Sequence, residues 1–143
     1  MRILSAGMEL HQGRLIDHVH LRVHDLEASK RFYRAVLEAL GRELGRESET
    51  AFSSDELYVS ADGEPTTGVH LAFQASDRDA VARFHNVALA AGGTDNGRPG
   101  ERAYHPGYYA AYVFDPDGNN IEAVFHGPAT RTADSVVITP AET

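Results

Sequence analysis

The chain contains two copies of one pattern. Aligned without a gap at an offset of 52 positions, the segments opening at His18 and His70 share Asp25/Asp77, Ala28/Ala80, Arg31/Arg83, Phe32/Phe84, Leu37/Leu89, Ala39/Ala91 and Gly41/Gly93. With the histidines that is eight identities in 24 aligned positions, against about two for unrelated segments of ordinary composition. An open solenoid needs at least about three units. A doubled pattern within 143 residues therefore predicts two halves packed around one core. It also puts an imidazole at the same point of each half.

Each half reads as strand, helix, then further strands. Leu15–Val23 alternates, with Val19, Leu21 and Val23 on one face and His18, His20 and Arg22 on the other. Asp25 is a helix N-cap, and Leu26, Phe32, Tyr33, Val36, Leu37 and Leu40 form an apolar stripe that Gly41 ends. Residues 42–60 are more weakly strand-like, and 61–65 read as a turn. In the second half Val69, Leu71 and Phe73 oppose His70, Ala72 and Gln74. Ser76 or Asp77 caps a helix running to about Ala91, and a Gly/Pro/Arg-rich connection covers 94–107. Tyr108–Phe114 and Asn120–Phe125 are strands joined across Asp115-Pro116-Asp117-Gly118. The expectation is one α+β domain over 1–143, with modules at about 14–62 and 66–126 and a polar tail at 127–143. Apolar strand faces cover the helices, and polar faces line a shared concave side.

A net charge of −8 without any basic run argues against nucleic acid as a partner, and none is expected. The absence of cysteine excludes disulfides, thiolate metal sites and cysteine nucleophiles. No stretch approaches the roughly 20 apolar residues of a membrane span, and Met1–Gly13 lacks the apolar core of a secretory signal. A cytoplasmic protein is expected.

Four segments carry a family resemblance: Asp17–Leu26, Phe32-Tyr33, His70–Phe73 and Asp115–Glu122. Together they resemble the vicinal oxygen chelate superfamily, which includes glyoxalase I, extradiol dioxygenases, fosfomycin-resistance proteins and bleomycin-binding proteins. The resemblance implies two pseudo-symmetric βαβββ modules forming a cup-shaped mixed sheet, with the helices outside and a divalent metal ion within. It makes His18, His70 and Glu122 the metal ligands. A lone strand histidine is more often a structural or surface residue, but two at repeat-equivalent positions, joined by Glu122, favour metal. Two imidazoles and a carboxylate with open coordination positions suit Fe(II), Ni(II), Zn(II) or Mn(II). The family also implies a small-molecule substrate and a homodimer.

Several positions keep alternatives. His20 competes with His18, because an offset of 50 pairs it with His70, but that register loses the Phe, Arg and Gly identities. On the same face as His18, it is instead a candidate to contact substrate or to hydrogen-bond a metal ligand from behind. Glu56 is a candidate fourth ligand of the glyoxalase I type, as the counterpart of Glu122, although it sits in a segment that also reads as an exposed turn. The spacing from His105 through Tyr112 and Asp115-Pro116 to Glu122 resembles the extradiol dioxygenase signature, with departures at Ala103 and Ala111. A second proton-transfer histidine, which those dioxygenases place well before His70, is missing. On this resemblance His105, Tyr112 and Glu122 are the catalytic candidates, and Arg102, Tyr108 and Tyr109 contact substrate. The plain alternative for that segment is a rigid loop of packed aromatics. His11, His24 and His126 read as loop or surface residues. The function expected is a metal-dependent enzyme whose substrate chelates the ion through adjacent oxygens, either a glyoxalase I-like lyase or a ring-cleaving dioxygenase. The alternative is a metal-free, bleomycin-resistance-type binding protein.

Overall fold

The structure is a computed structural model and describes residues 9–141. In order, the elements are β1 (Val19–Arg22), α1 (Leu26–Ala39), β2 (Arg46–Glu47), β3 (Ala51–Ser54), β4 (Leu57–Ser60), β5 (His70–Gln74), α2 (Arg78–Ala90), β6 (Thr94–Glu101), β7 (Tyr109–Phe114) and β8 (Asn120–Phe125). They make two βαβββ modules. The strands form two separate four-stranded sheets, ordered β1-β4-β3-β2 and β5-β8-β7-β6. In each sheet the first strand runs parallel to the last strand of its module, and the other pairs are antiparallel.

The helices begin where the sequence places them. Asp25 accepts from the Ala28 amide at 3.1 Å and Asp77 from the Ala80 amide at 2.7 Å, each satisfying an orphan first-turn donor. Their endings differ although Gly41 and Gly93 align. Gly41 takes a left-handed conformation, φ +80, whereas Gly93 is needed for space. A Cβ there would lie 2.8 Å from the Phe32 ring and 2.9 Å from the Ala88 carbonyl oxygen. Gly93 thus admits α1 against the second module.

One core joins the modules. Phe32, Tyr33 and Val36 from α1 pack with Val81 and Phe84 from α2, and with Leu21, Val59, Val113 and Ile121 from both sheets. The Asp115–Asn119 turn fastens this union. Tyr33 donates its hydroxyl to Asp115 Oδ2 at 2.6 Å, while Asp115 Oδ1 accepts the Asp117 and Asn119 amides at 2.9 Å. Burial, and then the Asp115 carboxylate, hold the Tyr33 hydroxyl well above its usual pKa. Asn119 Oδ1 in turn accepts the Val69 amide at 3.0 Å. The turn therefore aligns the start of β8 with β5.

Two expectations change. The first strand starts at Val19, not Leu15, because its partner β4 reaches back only to Leu57. Asp55 and Glu56 turn away there as a two-residue hairpin, with Asp55 at φ +47. The region 94–107, expected as a connection, contains β6. As an edge strand, β6 tolerates Pro99 and shifts register around Gly97 and Gly100. No helix among the described residues is long and apolar enough to cross a membrane.

Candidate functional site

Strand parity gives each sheet a core face against the helices and an open face. On the second sheet the open face carries His70, Ala72, Asn120, Glu122 and Tyr112. His70 opens β5, and the parallel ladder sets Ala72 opposite Glu122. Glu122 Oε1 lies 2.7 Å from His70 Nε2, and Tyr108 donates its hydroxyl to Oε2. The carboxylate is buried at 1% exposure while the His70 side chain is 55% exposed. A buried carboxyl group is thus held between the Tyr108 hydroxyl and an imidazole that is itself exposed. Tyr112 flanks the pair, its ring 6.1 Å from that of His70. Burial, and then Glu122, raise the pKa of Tyr112, so its hydroxyl stays protonated and able to donate.

The Arg102 guanidinium lies 5.2 Å from the centre of the Tyr112 ring and donates to the Arg98 carbonyl at 2.7 Å. It bridges the irregular β6 edge to the site. Tyr109 lies on the other side of β7, with Arg78 4.5 Å over its ring. Side-chain alternation takes Tyr109 toward α2 and away from Glu122, so the structure does not bring this expected substrate contact to the site.

His105 sits beyond Tyr108, their ring centres 5.3 Å apart. Its Nδ1 lies 2.8 Å from the Pro106 carbonyl oxygen, which can only accept, so Nδ1 carries the proton. Its Nε2 shares a hydrogen bond with His126 Nδ1 at 2.8 Å. Both nitrogens of the expected proton-transfer residue are occupied, and the free nitrogen of the pair is His126 Nε2. Burial, then the neighbouring His105, push the pKa of His126 below its ordinary value. The sequence alone reads His126 as a loop or surface residue. Positions 122, 124 and 126 share one parity along β8, and that signal would have placed it beside the site.

The first module is arranged differently. His18 precedes β1 and is exposed, with Asp17 Oδ1 2.7 Å from its Nδ1. Nδ1 is the ring nitrogen so engaged, and Nε2 makes no contact of that kind among the described residues. His20 lies within β1, its Nε2 2.7 Å from Ser60 Oγ, which donates onward to Asp62 Oδ1 at 2.5 Å. The Ser60 bond, with Arg22 nearby, lowers the Asp62 pKa. A serine proton committed to Asp62 makes His20 the donor at Nε2.

Glu56 is not the counterpart of Glu122. The ladders pair His20 with Tyr58 and Ala72 with Glu122. Because His20 and Ala72 are repeat equivalents, Tyr58 occupies the position of Glu122, and Glu56 lies in the exposed hairpin turn.

The donor set fits a divalent ion in part. His70 Nε2 and Glu122 Oε1 match neighbouring ligands, since atoms each about 2.1 Å from one ion stand about 3 Å apart at right angles. Among the described residues, however, no three His, Asp or Glu side chains converge. One chain brings together two of the three expected ligands and leaves His18 elsewhere.

The family model of the Glyoxalase/Bleomycin resistance protein/Dioxygenase superfamily matches residues 15–123. A glyoxalase/bleomycin resistance protein from Albidiferax ferrireducens is similar at 36% identity and TM-score 0.65, covering 76% of this chain and 95% of that one. A glyoxalase-related enzyme from Fulvimarina pelagi shares the fold at 22% identity and TM-score 0.62, covering 84% and 99%. So does a lactoylglutathione lyase from Agrobacterium tumefaciens, at 21% identity and TM-score 0.56, covering 80% and 95%. Comparison with curated protein sequences gives no match. With the paired βαβββ modules and a family match across both, the chain belongs to the Glyoxalase/Bleomycin resistance protein/Dioxygenase superfamily.

Proposed function

We propose that this protein is a metal-dependent enzyme acting on a small substrate that offers two adjacent oxygens, with each metal site shared between two copies of the chain. The carrying observation is the 2.7 Å approach of His70 Nε2 to the buried Glu122 carboxylate. His18 would supply the third ligand from the second copy. Its exposure and the Asp17 contact at Nδ1 suit that role, because a carboxylate on one imidazole nitrogen orients the other toward a metal. A homodimer then completes the site.

The ion, Fe(II), Ni(II), Zn(II) or Mn(II), would polarise the chelated oxygens and favour loss of a proton from substrate. Tyr108 holds Glu122 Oε2 and leaves Oε1 to face the open side. Tyr112, kept protonated, donates to a substrate oxygen beside His70. With both His105 nitrogens engaged, proton transfer directly by His105 is disfavoured. That weighs against the dioxygenase-type assignment and toward glyoxalase-type chemistry. Chelator-treated protein titrated with each ion tests this reading. One ion per chain for at least one metal, lost in Glu122→Ala, supports it; no stoichiometric binding of any of them refutes it.

A metal-free binding role is the second reading. It is favoured by an exposed aromatic, Tyr58, at the position where the other module has its carboxylate.

A further inference from the structure

The open face of the first sheet carries a continuous row of functional side chains. Arg46 pairs with Ser53, Ser53 with Tyr58, and Tyr58 with His20. Residues directly opposite in a ladder share a face, so the four stand side by side across all four strands. At about 4.8 Å per strand the row spans about 14 Å. A groove of about 540 Å³ opens at the Arg46 end of the row, lined by Arg46, Ser53 and Tyr58 together with Glu47, Ser48, Ala51 and Phe52. The second module has Ala72, Glu122, Tyr112 and Gly97 in the corresponding row, so this surface does not repeat the candidate metal site.

We propose that this row is a binding platform for a small planar aromatic carboxylate, its ring on Tyr58 and its carboxylate on Arg46. The groups are free for that task. Arg46 makes no ion pair among the described residues, in a protein whose net charge is −8. Glu47 also lines the groove, but its carboxylate is held by Arg34 at 2.6 Å and Lys30 at 3.7 Å. Arg46 therefore keeps its fork of donors for an external anion. Tyr58 is 40% exposed, an aromatic on an open sheet face, and the His20 ring braces it with centres 4.6 Å apart. His20 itself is fixed by Ser60 and Asp62, so the ring that braces Tyr58 is held in place. A cation at one end and a braced π face beyond it define the ligand class. The platform needs no metal and stands whether or not the metal reading holds.

The test is calorimetric titration of the full chain, with chelator present, using 2-naphthoate and its uncharged amide 2-naphthamide. Loss of a charge-assisted hydrogen bond corresponds to about tenfold or more in affinity. The amide is expected to bind weaker by that factor, and Arg46→Gln to weaken naphthoate equally and erase the preference. Tyr58→Ala weakens both ligands, whereas Arg42→Gln changes neither. Naphthoate binding should persist in Glu122→Ala, which separates failure of this platform from failure of the metal site. Equal affinity for acid and amide, unchanged binding in Arg46→Gln, or no naphthoate binding at about 10 mM, which corresponds to less than about 3 kcal/mol, would overturn the proposal.

Discussion

His70 and Glu122 are 52 residues apart in sequence and meet at 2.7 Å on the open face of one sheet. The carboxylate is buried and the imidazole exposed. Tyr108 keeps the second carboxylate oxygen satisfied. Removing that hydroxyl leaves a buried anionic acceptor without its partner, which costs about 1–3 kcal/mol. Tyr108→Phe should therefore lower unfolding free energy in urea by that amount. A variant as stable as the wild type would show that Glu122 is otherwise solvated.

The Tyr33 hydroxyl, 2.6 Å from Asp115 Oδ2, ties the first helix to the turn that sets the β5–β8 register. Tyr33→Phe should cost about 1–2 kcal/mol, since Asp115 retains the Asp117 and Asn119 amides. Because the bond aligns the module carrying Glu122, metal affinity should fall as well. A change in stability with unaltered metal affinity would confine the bond to packing.

The pKa of His126 lies below its ordinary value. The unfolded chain then binds a proton more readily than the folded one between the folded pKa and about 6.5. Stability from this group is complete above the unfolded value and declines as pH falls through that window. His126→Asn should flatten the acid-side slope of stability against pH, measured by thermal melts with chelator present. An unchanged slope would contradict the assignment.

Glu56 and Glu122 should behave oppositely. Glu56→Gln alters an exposed hairpin residue and is expected to leave metal affinity within about twofold, as surface changes do. Glu122→Gln should abolish binding. Comparable losses in both variants would restore Glu56 as a ligand.

What the sequence made legible follows from how local each signal is. Asp25 and Asp77 mark helix starts because capping involves residues three apart, and parity along β5 and β8 showed the faces of His70 and Glu122. The match of Glu122 with Tyr58 was not legible. It depends on ladder register, and the last two strands of the modules are joined by two residues in one case and five in the other. Counting along the chain cannot absorb that difference. β6 was hidden by Gly97, Pro99 and Gly100, which an edge strand accepts. The His105–His126 pair was missed because a histidine just past a strand end looks like surface unless its parity is followed. The separation of His18 from His70 was invisible for another reason: a repeat specifies two equivalent halves, not whether their open faces meet within one chain.

The shared metal site is tested most directly by mixing two inactive partners. His18→Ala and Glu122→Ala are each expected to bind no ion alone. Unfolded together and refolded as a mixture, they should form mixed dimers in which one of two sites is whole. With random pairing in a two-fold symmetric dimer, about a quarter of wild-type metal binding returns. A mixture that binds no metal, with both variants folded and dimeric, would contradict the account.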